Sequence, residues 1–355
     1  MFYLNNNFMK ILDYTNFSEI FVTGDVHGEF NELMHSLKEN LQYDKEKFKK
    51  EKHPLELENE NEENMVEQLH RLRFSRRSVN YLNNSIIFVC GDCGFGFNKL
   101  GYYLPILNKI NELLESTNTH LIFVRGNHDD PSYFDGEVIN LSNIKAVPDY
   151  TVVKTSKLNV LCVGGAISVD RTWRKQSEAR LNKYKKSTQK KLYWENEAPY
   201  FNENIINELK EHNININIVI THTSPSFTFP YEKDSAAGWL KIDPNLKTDL
   251  INERKLMDDL YNTLLTEHKI YVWSYGHFHL YHEDLSKENV LFLCNNDRMV
   301  FSNINGMISK YGFLSKPKSK KKKKNDNNEI SIESMLSVLY DDNNNGVDEL
   351  EEAPF

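Results

Sequence analysis

Five short stretches of the chain gather carboxylates, amides and imidazoles: GDVHG at 24–28, GDCG at 91–94, GNHDD at 126–130, THTSP at 221–225 and GHFH at 276–279. Asp, Asn and His together form a mixed oxygen and nitrogen donor set. So many imidazoles suit Mn, Fe or Zn better than Mg or Ca. No thiolate is needed. The glycines in four of the stretches let the backbone turn sharply and approach a ligand where a Cβ would intrude. Part of GNHDD also reads as turn chemistry, because Asp130 precedes Pro131.

Each stretch follows a short apolar run rich in Ile, Val and Phe. The runs are EIFVTG at 19, SIIFVCG at 85, HLIFVRG at 120, INIVITH at 216 and IYVWSYGH at 270, with NVLCVGG at 159 and NVLFLC at 289 completing the set. Near-continuous apolar runs of this length predict strands covered on both faces. Helical periodicity intervenes at about 29–40, 100–116, 203–212 and 249–267. The alternation predicts an α/β core. In open α/β sheets, ligands bind beyond the carboxyl ends of the strands, and that is where all five stretches fall.

Together, in this order, the five stretches resemble the calcineurin-like metallophosphoesterase superfamily, and the resemblance extends from residue 24 to residue 279. It implies a four-layer α/β/β/α sandwich and two divalent metal ions about 3.5–4 Å apart, bridged by a carboxylate and a water or hydroxide. Block by block, it implies that Asp25, His27 and His279 hold one ion, that Asn127, His222 and His277 hold the other, and that Asp92 bridges them. Manganese is the first expectation, with Fe, Zn or Ni as alternatives. Each imidazole then needs an acceptor on its other nitrogen to fix the tautomer. His128 is implied to face the substrate, protonating the leaving oxygen or stabilising phosphoryl charge, with Asp129 or Asp130 to orient it. The implied reaction is hydrolysis of a phosphoester by metal-activated water, with no covalent enzyme intermediate.

One block departs from a branch of that superfamily. Its Ser/Thr protein phosphatases carry GD-x-x-DRG, whose Asp pairs with the histidine and whose Arg grips phosphate. Here the block reads GDCGFGF, with Phe95 and Gly96 in those places. GGAISVDRTWR at 164–174 offers Arg171 and Arg174 as replacements, and this segment and LYWENEAP at 192–199 look like blocks of a bacterial and phage branch. A planar guanidinium can hold phosphate oxygens bidentately, whereas the bland role of either arginine is a salt bridge with Asp170 or Glu178.

The 355 residues suffice for one large domain, expected over 1–315, with appendages. Forty-three basic against fifty-one acidic residues give a net charge of −8, which disfavours sequence-independent binding to nucleic acid, although local basic patches leave it open. Residues 42–84 read as a charged insertion, with Arg71, Arg73, Arg76 and Arg77 clustered in its second half. A basic low-complexity linker is expected over 316–329, and an acidic tail over 330–355 that could dock a partner through helically spaced Ile332, Met335, Leu336 and Leu339. Cys90 and Cys93 form a CxxC with no second pair, so the four cysteines read as buried hydrophobes in a reducing, cytoplasmic setting. The N-terminal residues do not read as a signal peptide, and no apolar run approaches membrane-spanning length. The expected function is therefore phosphomonoester hydrolysis, of a small molecule or a protein. The alternatives are a phosphodiesterase or nuclease of the same fold, or a catalytically silent metal-stabilised interaction scaffold.

Overall fold

The computed structural model describes residues 9–42, 82–184, 190–230 and 237–313. Every described residue lies in one compact unit, Met1–Leu314. The basic linker, the acidic tail and most of the 42–84 insertion, with its four arginines, fall outside the described residues.

In chain order the strands are β1 (Ile11–Tyr14), β2 (Glu19–Thr23), β3 (Ser85–Val89), β4 (His120–Phe123), β5 (Ile144–Ala146), β6 (Thr151–Thr155), β7 (Asn159–Val163), β8 (Ile218–Thr221), β9 (Val272–Tyr275), β10 (His282–Leu285), β11 (Leu291–Cys294) and β12 (Ser302–Asn303). The helices are α1 (Phe30–Asn40), α2 (Leu100–Ser116), α3 (Arg171–Tyr184), α4 (Ile205–Glu211), α5 (Ala237–Ile242), α6 (Leu246–Leu265) and α7 (Ile304–Lys310). A seven-stranded sheet has the order β1-β6-β7-β8-β9-β11-β10, and a five-stranded sheet the order β12-β2-β3-β4-β5. Within them β7, β8, β9 and β11 run parallel to one another, as do β2, β3, β4 and β5.

The continuous apolar runs separate, residue by residue, into two cores. Ile20 and Val22 of β2, Ile86 and Phe88 of β3, and Ile122 of β4 point the same way. They meet Val160 and Cys162 of β7, Ile218 and Ile220 of β8, and Leu291 and Leu293 of β11 between the sheets. The alternate residues Phe21, Ile87, Val89, Leu121 and Phe123 face outward and pack beneath α1 and α2. On the other side Leu161, Val219, Trp273 and Phe292 pack beneath α4 and α6. Side chains alternate across a strand, so a run apolar at every position needs cover on both faces, and the result is the expected α/β/β/α sandwich. Helix α1 shows why its cover forms: Phe30, Leu33 and Leu37 lie on one face and are buried, each worth about 1.5–3 kcal/mol.

All seven strands expected from apolar runs are present, as are all four expected helices. The five strands without such runs include the four sheet-edge strands β1, β5, β10 and β12, which are short. Helix α3 was also not foreshadowed. Its sequence RTWRKQSEARLNKY has no apolar stripe, and the side chain it buries is Arg174. Among the described residues no helix is long and apolar enough to cross a membrane.

Candidate active site

All five chemistry-bearing stretches emerge at the carboxyl ends of parallel strands. Strand β2 leads to Asp25 and His27, β3 to Asp92, β4 to Asn127 and His128, β8 to His222, and β9 to His277 and His279. The loops hydrogen-bond to one another. The amides of Val26 and His27 donate to the Asp92 carbonyl at 3.0 and 2.7 Å, and the His128 amide donates to Asp92 Oδ1 at 2.7 Å. The His277 amide donates to both oxygens of Asp25, each at 3.1 Å. Gly126 is required here, because a Cβ would run into the Asp92 backbone nitrogen and Oδ1. His27, Asp92, His277 and His279 have φ of +50°, +47°, +68° and +54°. Left-handed backbone at such residues costs about 1 kcal/mol or more each, and it persists only where the surroundings impose it.

One donor atom from each of Asp25, His27, Asp92 and His279 lies within 4.8 Å of the others. His279 Nε2 is 3.1 Å from Asp25 Oδ2 and 3.0 Å from His27 Nε2. Beside them, His222 Nε2 is 2.9 Å from Asn127 Oδ1 and 3.2 Å from Asp92 Oδ1. The other nitrogen of His222 lies 2.7 Å from the Cys90 carbonyl, which can only accept, so Nδ1 carries a proton. In the neutral ring the Nε2 lone pair would then face two oxygens. Three acceptors converging on one point fit a cation, or a proton in its place. Burial works to lower His222, yet Asp92 beside it brings it up to about 9. Burial alone would raise Asp92, but the charge and hydrogen bond of His222 beside it hold it well below the usual carboxylate range. His277 joins this group, its ring 5.0 Å from that of His222. All seven expected ligand positions therefore lie at one place.

His128 and Arg174 form one wall. Arg174 Nη2 lies 2.5 Å from His128 Nε2 and 3.1 Å from Nδ1, while its Nε donates to Asp170 at 2.7 Å. A guanidinium has no acceptor, so the nitrogen facing it is unprotonated and His128 is neutral. Burial lowers His128 to about 3, against the pull of Asp92 and with the help of Arg174. Arg171 is placed differently. It bonds Asp243 through Nε at 2.6 Å and Asp249 through Nη2 at 2.7 Å, so two carboxylates hold it, and its hydrogen bonds in turn bring the Asp243 carboxyl down to about 2. Of the two arginines named from sequence, the structure brings only Arg174 against His128.

The departures at Phe95 and Gly96 have a physical account. Phe95 is fully buried in the aromatic core, with ring centroids 5.2 Å from Phe30 and Phe123. Gly96 has φ +109°, and a Cβ there would collide with Asp130 and Trp194, so no side chain can project from it. The cation that stands beside His128 comes from α3, as Arg174.

Asp129 and Asp130, expected to orient His128, have other partners. Asp129 accepts hydrogen bonds from the amides of Cys93, Gly94, Phe95 and Gly126, fastening two of the site loops together. Asp130 accepts from the amide and hydroxyl of Ser132, which is the turn role. The four cysteines are free and buried, and burial pushes the Cys90 thiol up to about 12, as expected of small hydrophobes. His120 packs edge-on to Tyr14 and Phe17, and His282 stacks on Phe229, both outside the site. Sequence reasoning passed over Ser168, which accepts from Asn127 Nδ2 at 2.9 Å, and Glu197, which binds Ser168. Both lie in the two segments that look like blocks of a bacterial and phage branch, and that likeness was the available signal.

No curated protein matches the chain. Among solved structures, a cold-active protein-tyrosine phosphatase of a psychrophile Shewanella species is 11% identical, covering 82% of this chain and 75% of that one at a TM-score of 0.31. The phosphopantetheinyl hydrolase of Mycobacterium tuberculosis is 10% identical, covering 88% and 99% at a TM-score of 0.31. Likeness at that level adds no argument about activity. The family description "calcineurin-like phosphoesterase", by contrast, matches residues 18–281, a span that contains every loop of the site. The chain belongs to the calcineurin-like phosphoesterase family.

Proposed function

We propose that the protein hydrolyses phosphomonoesters with two divalent metal ions, manganese being the first choice and Fe, Zn or Ni the alternatives. Asp25, His27 and His279 would hold one ion, Asn127, His222 and His277 the other, and Asp92 both. The observation that carries this reading is the convergence of His222 Nε2, Asn127 Oδ1 and Asp92 Oδ1, beside a wall formed by His128 and Arg174. When bound, two such ions lower the pKa of water and offset charge on phosphoryl oxygens.

The chain's own residues do the rest. The His222 Nδ1–H bond to the Cys90 carbonyl aims Nε2 inward. Arg174 gives an anionic oxygen a charged donor in a site where burial strengthens the bond. A phosphoryl oxygen that takes Arg174 Nη2 frees the His128 nitrogen now facing it, and places that imidazole beside the leaving oxygen. Asp170 keeps the Arg174 guanidinium oriented through Nε. Free buried thiols suit a reducing cytoplasm.

The test is turnover of p-nitrophenyl phosphate and bis-p-nitrophenyl phosphate by the metal-stripped full chain, with Mn, Ni, Zn or Mg added back. Asp92→Asn and His128→Ala are assayed beside it. Metal-dependent monoester turnover lost in both variants is expected. A preference for the diester would replace the monoester reading with a phosphodiesterase, and metal binding without turnover of either ester would favour a scaffold.

A further inference from the structure

We infer that Glu197 is a positioning residue that fixes which end of the Asn127 side-chain amide faces the site, acting through Ser168. The inference rests on the reading of Asn127 as a metal ligand.

Ser168, Glu197 and Asn127 are all buried, with 2%, 2% and 3% exposure. The Ser168 amide donates to Glu197 Oε1 at 2.9 Å, and its hydroxyl donates to Glu197 Oε2 at 2.6 Å. A carboxylate only accepts, so the one hydroxyl proton is committed to Glu197 and the serine oxygen offers only lone pairs to other neighbours. Asn127 approaches that oxygen at 2.9 Å, and the end that does so must be the NH2. The amide oxygen is thereby turned to the opposite side, 2.9 Å from His222 Nε2. Carboxylate, hydroxyl and amide form a directional chain, and each link sets the polarity of the next.

The position of the serine does not depend on this chain alone. Glu253 of α6 accepts the Ile167 amide at 2.6 Å through Oε2 and the Thr223 hydroxyl through Oε1, clamping the loop from the other side. Arg125 Nη1 donates to the Glu197 carbonyl at 2.7 Å and holds its backbone. A change at the Glu197 carboxylate therefore alters hydrogen-bond polarity while both backbones keep their anchors.

Glutamine at 197 makes the logic visible. Its one oxygen is needed by the Ser168 amide, so its NH2 faces the serine oxygen and the hydroxyl proton is displaced toward residue 127. An amide there is then rewarded for turning its oxygen outward and its NH2 into the site, where it cannot bind a cation. An aspartate at 127 has oxygen at both ends and cannot be turned the wrong way.

The experiment titrates Mn2+ into the metal-stripped full chain at about pH 8, above the value of about 7 to which burial raises Glu197, and reads free Mn2+ by electron paramagnetic resonance alongside the thermal melt of the metal-free protein. The wild type is expected to bind two equivalents. Glu197→Gln is expected to weaken one of them by about 10–100-fold, the usual cost of losing a ligand's outer partner, and to leave the other unchanged. In an Asn127→Asp background the same substitution is expected to cost less than about threefold in that equivalent, for want of an amide to invert. Ser168→Ala repeats the comparison if Glu197→Gln fails to fold. Unchanged binding in Glu197→Gln, or an equal loss in the wild-type and Asn127→Asp backgrounds, overturns the positioning role. Two full equivalents retained by Asn127→Ala would instead remove the ligand reading on which it rests.

Discussion

His27 and His279 keep 26% and 46% of their side chains exposed, whereas Asn127 and His222 are buried, and the two groups are positioned by different means. The outer histidines project from loops at φ of +50° and +54°, so their aim comes from the backbone path itself. The inner pair is aimed by hydrogen bonds to fixed groups, His222 to the Cys90 carbonyl and Asn127 to Ser168. Backbone aiming stores strain at the rim and leaves the core unaffected when a side chain is lost. Aiming by buried hydrogen bonds ties the ligand to the stability of the sheet beneath it.

The sharpest way to break that comparison is to remove one imidazole from each group. His222→Ala leaves the Cys90 carbonyl and Asn127 Oδ1 without their partner and opens a cavity. It should cost the metal-free protein roughly 2–4 kcal/mol as well as one metal equivalent. For the rim, His279→Gly suits a backbone already at +54°. It should weaken the other equivalent while moving stability by under about 0.5 kcal/mol. Urea melts of both metal-free variants and Mn2+ titration decide. Equal destabilisation would show that rim and floor are held alike.

The two arginines of α3 extend the contrast to the wall formed with His128. Arg174→Ala should lower kcat on p-nitrophenyl phosphate by about 10²–10³-fold, the cost of removing one donor to developing charge. Arg171→Ala should leave kcat within a few-fold and cost stability by about 1–3 kcal/mol through its ion pairs. The reverse pattern would return the phosphate role to Arg171.

The donor cluster was legible because its residues have two separable signals, a donor side chain and an apolar strand directly before it. Five such junctions in order led to Asp25, Asp92, Asn127, His222 and His277 meeting at one place. Arg174 was legible only as one of two candidates. Its helix shows no apolar stripe, and the partners that distinguish it from Arg171 are Asp243 and Asp249, which lie far along the chain. Ser168 and Glu197 were illegible for a related reason: a buried hydroxyl and carboxylate carry no periodicity, and their meaning exists only once the fold brings together two residues 29 apart in sequence. The edge strands were missed because exposure on one side removes the apolar run that marks a central strand.

The last contrast concerns the support of the buried group, read in the absence of metal. Burial raises Glu197 from the ordinary 4.5 to about 7, with the Ser168 bonds pulling the other way. Between those values the folded protein holds a proton that the unfolded chain has released. The stability contribution is thus complete below about pH 4.5 and is lost as pH rises toward and through 7. The loss amounts to roughly 3 kcal/mol. Glu197→Gln has no proton to lose, so its stability relative to the wild type should rise across that window, as measured by urea denaturation in chelator at a series of pH values. His279→Gly should follow the wild-type slope across the upper half of that window more closely than Glu197→Gln does, since it leaves the Glu197 carboxyl in place. If Glu197→Gln runs parallel to the wild type throughout, the carboxylate is solvated in the native protein, and the contrast between a hydrogen-bonded floor and a backbone-aimed rim loses its strongest support.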